Sequence, residues 1–321
     1  MKGIWTGVFR FSLFLVVLLM ISACGRSIEG SQTPQQGKLR VVVTTSFIAD
    51  VVENIAGDKV DISVLLPSGQ NPHSYHPAPM DMVAISEADL ILANGFGLED
   101  FLEELLSGSD TEADLIVVSE GIDPLMITGN HDDEDDHGSE DSMEAVMGQD
   151  PHVWFDPNNV LIWAENITTA LVEQDPDNET LYQDNFGTYH GQLLELDAWI
   201  REQIEKIPEN QRELVTDHTT LGYFAEEYGL VQIGAVIPAL TTEAETSGME
   251  LAELIDGIRE HHTKAIFIGV DFDPNLAQLV ANETGVELVP LYFGSLSDGE
   301  PAGDYLSFMH YNVSAIVEAL Q

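Results

Sequence analysis

Basic residues are scarce in this 321-residue chain: 11 Lys and Arg stand against 56 Asp and Glu, a net charge of −45. Phosphate backbones are bound by clustered Lys and Arg, so the balance argues against nucleic acid as a partner. It also disfavours attraction to an anionic membrane surface. Cysteine is nearly absent. With Cys24 alone, no disulfide can form within the chain. No His-Glu-x-x-His helix, no Gly-x-Ser-x-Gly elbow and no Gly-rich phosphate loop is present, so the common signatures of zinc peptidases, serine hydrolases and nucleotide-binding folds are missing. What the chain does have is apolar content: 44% of its residues are hydrophobic, enough to bury a core despite the charge. Its length fits about two domains.

The first residues read as a targeting segment. Lys2 and Arg10 precede an apolar run over 11–21, broken by Ser12, and the small residues Ser22 and Ala23 follow. That order is a secretory signal peptide over 1–23, too short in its apolar part for a stable span. Ile21-Ser22-Ala23-Cys24 resembles a bacterial lipobox, with Cys24 as the lipid-carrying residue. Residues 24–37 then read as a flexible tether. The expectation is a protein held outside the cytoplasmic membrane by one lipid.

From Leu39 onward strand and helix signals alternate. Residues 40–45 form a β-branched apolar run, and Ile48, Val51, Val52 and Ile55 then share one helix face up to Gly57. Strands follow at 60–66, 90–93 and 115–119, and helices at about 79–87 and 98–106. The second half repeats the theme, with strands at 213–216, 231–237, 265–270 and 286–291. Helices lie between them at 220–228, from Ser247 with a capping box to Glu250, and from Asp273 as cap to Gly285. The fold class is α/β: two similar lobes with parallel-type sheets, 38–178 and 209–321. A long helix over 179–208 joins them, free of internal proline and striped by Leu193, Leu196, Ile200 and Ile204. Ligands of such sheets bind beyond the C-terminal strand ends.

Three of the ten histidines fall in loops at those ends. His73 lies in Asn71-Pro72-His73, His152 in Asp150-Pro151-His152, and His218 in Asp217-His218-Thr219. Rigid loops supply the fixed orientation a metal-bound imidazole needs, and all three converge on one predicted cleft. His190, His261, His262 and His310 read as structural.

Here the sequence resembles a family, the metal-binding lipoproteins of zinc and manganese ABC importers (cluster A-I solute-binding proteins, zinc type). The resemblance runs over about 38–321. It is carried by residues 150–157, close to Asp-Pro-His-Val-Trp-Leu-Asp-Pro; by 71–77, similar to Pro-His-x-Tyr-x-Pro; by His218 with Gly222-Tyr223-Phe224; and by Leu240-Thr241-Thr242-Glu243-Ala244-Glu245. It implies that His73, His152 and His218 are metal ligands between the lobes. Relatives add an Asp before a Ser-Leu pair, but here Gly294 precedes Ser295-Leu296. Water, Asp298 or His76 are the candidates to complete the tetrahedron, in that order, with Glu243 also in reach.

Three imidazoles suit Zn²⁺, whereas Mn²⁺ prefers more oxygen ligands; Mn²⁺ or iron is the alternative cargo. The acidic stretch holding His131, Asp133, Asp135 and His137 is either a solvated insertion or a zinc-collecting loop over 130–149. The resemblance implies a protein that is not an enzyme, delivers its metal to a permease and works as a monomer. A zinc hydrolase is the rival, since a catalytic zinc also keeps one open position; adhesin roles described for some relatives have no signal here. Ordinary imidazoles would make affinity fall below about pH 6.

Overall fold

The computed structural model describes residues 37–129 and 145–321. The segment read as a signal peptide, Cys24, and His131, Asp133, Asp135 and His137 lie outside the described residues.

Two four-stranded parallel sheets organise the chain. The first has the order β2-β1-β3-β4, from β1 (Leu39–Thr45), β2 (Val60–Leu66), β3 (Leu90–Ala93) and β4 (Asp114–Val117). Between them run α1 (Ser46–Ala56), α2 (Pro79–Glu87) and α3 (Asp100–Gly108). The second has the order β10-β9-β7-β8, from β7 (Glu213–His218), β8 (Val231–Ile237), β9 (Ala265–Gly269) and β10 (Glu287–Leu291). Its helices are α6 (Gly222–Tyr228), α7 (Gly248–His261) and α8 (Asn275–Thr284). Residues Val41 to Thr45 of β1 and all of β3 and β9 are buried, as strands covered on both faces must be. Helix starts follow their sequence signals. Thr45 accepts a bond from the Ile48 N–H at 3.3 Å, and the Ser247–Glu250 capping box forms in both directions. Asp273 accepts from the Asn275 N–H, so α8 begins one residue later than expected from Pro274.

Three elements went unread in the sequence. A hairpin of β5 (Met126–Gly129) and β6 (Ala145–Gln149) brackets the acidic stretch. Helix α4 (Pro157–Gln174) is capped by Asp156, which accepts from the Asn158 N–H at 2.8 Å. Helix α9 (Tyr305–Leu320) is capped in the same way by Asp304 onto Ser307.

The long helix is α5 (Glu179–Ile204). It packs on α1 of the first half, on α4, and on α6 and α9 of the second. Each sheet turns alternate residues to different cores. Val42, Ile85, Ile91 and Leu102 form a private layer in the first half, and Val215, Val236, Ile258 and Ile266 form one in the second. The opposite faces merge: Val41, Val43 and Phe47 share one buried cluster with Trp154, Tyr189, Leu193, Leu214, Phe267 and Phe308. Leu39–Gln321 is accordingly one compact unit. The lobes are halves of a single packed body, and the C-terminal ends of their strands meet at one edge.

Candidate metal centre

Each of the three loop histidines is set by its neighbours in sequence. Asn71 precedes the 3₁₀ turn Pro72–Ser74, accepts a bond from the His73 N–H at 2.9 Å and donates to Thr242 Oγ1 at 2.9 Å, crossing to the other half. His152 leads the turn Val153–Phe155 and is 1% exposed. Its backbone N–H donates to Asp150 Oδ1 at 3.0 Å, and its ring Nδ1 sits 2.7 Å from the same oxygen. His218 ends β7, where its N–H and ring Nδ1 both lie 2.6 Å from Asp217 Oδ1. The other oxygen of Asp217 accepts from the Gly269 N–H at 2.6 Å.

These carboxylates decide the ring chemistry. An acceptor at Nδ1 requires a proton there, so in the neutral rings Nε2 carries the lone pair on both His152 and His218. Those two lone-pair nitrogens face each other at 3.3 Å, and His73 Nε2 lies 3.1 Å from that of His152. All three ring nitrogens fall within 4.8 Å of one another. Tetrahedral bonds of about 2.0–2.1 Å to one zinc ion would separate ligand atoms by about 3.3–3.4 Å. The cavity they line measures about 10 Å³, roughly the room for a single ion or water.

Packing holds the cluster in place. Trp154 Nε1 donates to the Phe293 carbonyl at 3.0 Å, Tyr305 donates to the Trp154 carbonyl at 2.8 Å, and Phe47 stacks on Trp154 at 5.0 Å. Burial, with His152 and His218 adding to it, pushes the His73 imidazole down to about 2. Burial also lowers His152, against the pull of Asp150. The acid sensitivity expected of ordinary imidazoles near pH 6 therefore does not extend to these two rings.

The expected fourth ligands are placed elsewhere. None of His76, Asp298 and Glu243 lines this cavity; Asp298 borders a neighbouring one, which Asp271 also lines. Gly294 does line it, with the Pro72 ring packed so close that a Cβ there would meet Pro72 Cδ at 2.5 Å. A carboxylate that sequence reasoning missed, Asp271, lines the cavity from the turn after β9. Its only signal was position, two residues past a parallel strand on the ligand-binding edge. Three further histidines among the described residues stand apart: His261 pairs with Glu213 at 3.0 Å, His310 abuts the Trp199 ring at 4.1 Å, and His190 abuts Phe186.

Comparison with known proteins shows the family. The family model described as zinc-uptake complex component A, periplasmic, matches residues 41–319. A manganese-binding lipoprotein of Halalkalibacterium halodurans is 33% identical over 313 residues, covering 97% of this chain and 98% of that one. A metal ABC transporter substrate-binding lipoprotein of Streptococcus parasanguinis is 32% identical over 317 residues, covering 96% and 97%. Among solved structures, a manganese-bound periplasmic metal-binding protein of Candidatus Liberibacter asiaticus matches with a TM-score of 0.75 at 30% identity, over 88% of this chain and 100% of that one. A periplasmic zinc-binding protein of Treponema pallidum matches with a TM-score of 0.77 at 29% identity, over 88% and 99%. Two parallel-sheet lobes closing on three imidazoles, matched over nearly the whole described chain, are thus those of a substrate-binding component of a metal ABC transporter rather than an enzyme, and the chain belongs to the zinc-uptake complex component A family.

Proposed function

We propose that this chain captures one Zn²⁺ through the Nε2 atoms of His73, His152 and His218 and delivers it to an ABC importer permease. The observation that carries the reading is the pair of lone-pair nitrogens of His152 and His218 at 3.3 Å. Two such atoms repel unless a cation lies between them. Three neutral nitrogen donors around so small a cavity favour four-coordinate zinc over manganese, which takes more oxygen ligands. Manganese is the second reading, and the names of the bacterial lipoproteins at 32–33% identity favour it. In this account 38–178 and 209–321 are the lobes and 179–208 the brace between them. Cys24 carries the lipid, the acidic stretch gathers cations, its expected loop over 130–149 being cut short by β6 from Ala145, and the protein acts as a monomer.

Titration of the purified protein with zinc and with manganese, beside His218→Ala, tests the reading. Zinc should bind one to one and more tightly than manganese, and the variant should lose at least tenfold in zinc affinity, the order seen when even an outer partner of a ligand is removed. A manganese preference would transfer the assignment to the second reading; unchanged affinity in the variant would remove His218 from the ligand set.

A further inference from the structure

The donor set of this cavity is three imidazoles, and the position from which relatives are expected to contribute a carboxylate is occupied by Gly294. That position is closed sterically as well as chemically. The Pro72 ring lies where a side chain would begin, 2.5 Å from a Cβ built on Gly294. Pro72 directly precedes His73, so moving it aside would disturb a ligand.

One carboxylate lines the cavity without a structural task of its own. Asp150 and Asp217 are both committed to histidine Nδ1 atoms. Asp271, in the turn that follows β9, also lines the cavity, beside Phe272 and Asp217. No other side chain holds its carboxylate among the described residues. It takes a backbone bond from its own N–H and lies close enough to feel both Asp217 and His218. Gly269 makes the approach possible: a Cβ there would come within 2.9 Å of Asp271 Oδ1 and 3.1 Å of Asp217 Oδ2. Two carboxylates are thus brought together beside His218, and only that of Asp217 is held by hydrogen bonds to its neighbours.

We propose that Asp271 is the fourth protein ligand, swinging from its turn into the place that Gly294 leaves without a donor; this rests on the metal-capture reading above. Its oxygens stand outside the 4.8 Å circle of the three ring nitrogens, so the metal draws the side chain in rather than finding it preset. A rotation about its own side-chain bonds is the motion required, with β9 and the histidine loops fixed. The donor set becomes three nitrogens and one carboxylate oxygen, which zinc accepts in four-coordinate form.

The test compares Asp271→Ala, Asp271→Asn, Asp298→Ala and His218→Ala by zinc competition titration. The absorption spectrum of the Co²⁺-loaded proteins is recorded alongside as a reading of ligand type. Loss of about 10–100-fold in zinc affinity for Asp271→Ala, the scale that ligand-shell changes bring, with an altered Co²⁺ spectrum and an unaffected Asp298→Ala, is the expected result. If both Asp271 variants bind and absorb like the parent while His218→Ala fails to bind, the three-histidine site stands and the inference is overturned. If His218→Ala also binds like the parent, the metal-capture site itself is misplaced and the inference falls with it. Metal-free melting curves of the variants show whether a loss of affinity comes from the ligand or from the fold.

Discussion

Two acids, Asp150 and Asp217, orient the rings of His152 and His218 by accepting from their Nδ1 atoms. Asp150 is wholly buried and accepts from both the backbone N–H and the ring of His152, while its second oxygen has no hydrogen-bond partner. An unpartnered carboxylate oxygen in the interior carries a real penalty, tolerable here because the negative charge raises the basicity of the imidazole toward a cation. Asp150→Asn keeps the acceptor and removes the charge. Zinc affinity should therefore fall about 10–100-fold, while the metal-free protein melts at the same temperature or higher. Titration and metal-free calorimetry check the two halves of that outcome separately; a fall in metal-free stability instead would mean that Asp150 serves the fold first. At this scale the sequence was most readable where donors adjoin proline or a strand end, as His73, His152 and His218 do. It was least readable where tertiary placement alone matters. Nothing in the local sequence singles out Asp271 over Asp298: both are exposed and border the neighbouring cavity, yet only Asp271 also lines the histidine cavity.

At the scale of elements, apolar periodicity located every strand of the two sheets, with β2, β3 and β8 at the same limits in sequence and structure. Its failures share a cause. Helix α4 buries Val160, Trp163, Ala164, Ile167 and Leu171 at helical spacing, but Asn, Thr and Glu between them dilute the stripe. In α9 the stripe is clear in retrospect through Phe308, Met309, Val313 and Ile316, although Asn312 is buried within it, satisfied by the Tyr292 backbone. The brace α5 was legible from its length and lack of proline, yet it contains two glycines in mid-helix. Gly187 is exposed, and a Cβ there would meet nothing within 4 Å. Glycine in a helix interior is less favourable than alanine by about 0.5–1 kcal/mol. Gly187→Ala should raise stability by that amount in chemical denaturation and leave zinc affinity unchanged. A destabilised variant would mean that this part of the brace is not regular helix in solution.

The whole molecule is governed by two facts that the sequence presented separately, an overwhelming negative charge and a repeated α/β pattern. The pattern led to an expectation of two lobes with a helix between them. The structure adds that the inner faces of both sheets, α5 and the Trp154 region form one buried cluster. Cross-half bonds reinforce it at the site, with Leu296 N–H donating to Ser46 Oγ at 3.0 Å and Asn71 donating to Thr242. Opening such a body like a hinge would expose its largest core, so metal entry and exit must be confined to the loops and to side chains such as Asp271. The same continuity determines how the protein unfolds. Two independent lobes would melt in two steps; halves that share a core have no stable partial state and melt in one. Calorimetry should therefore give a single transition without metal, and zinc should raise its midpoint as one unit. At a free zinc concentration of 100 times Kd the added stability is about 2.7 kcal/mol. Salt should raise the midpoint as well, because 56 acidic side chains against 11 basic ones repel one another across the surface and screening relieves them. A second transition, moved by zinc while the first stays in place, would show that the halves fold separately and would reopen a hinge as the route of release.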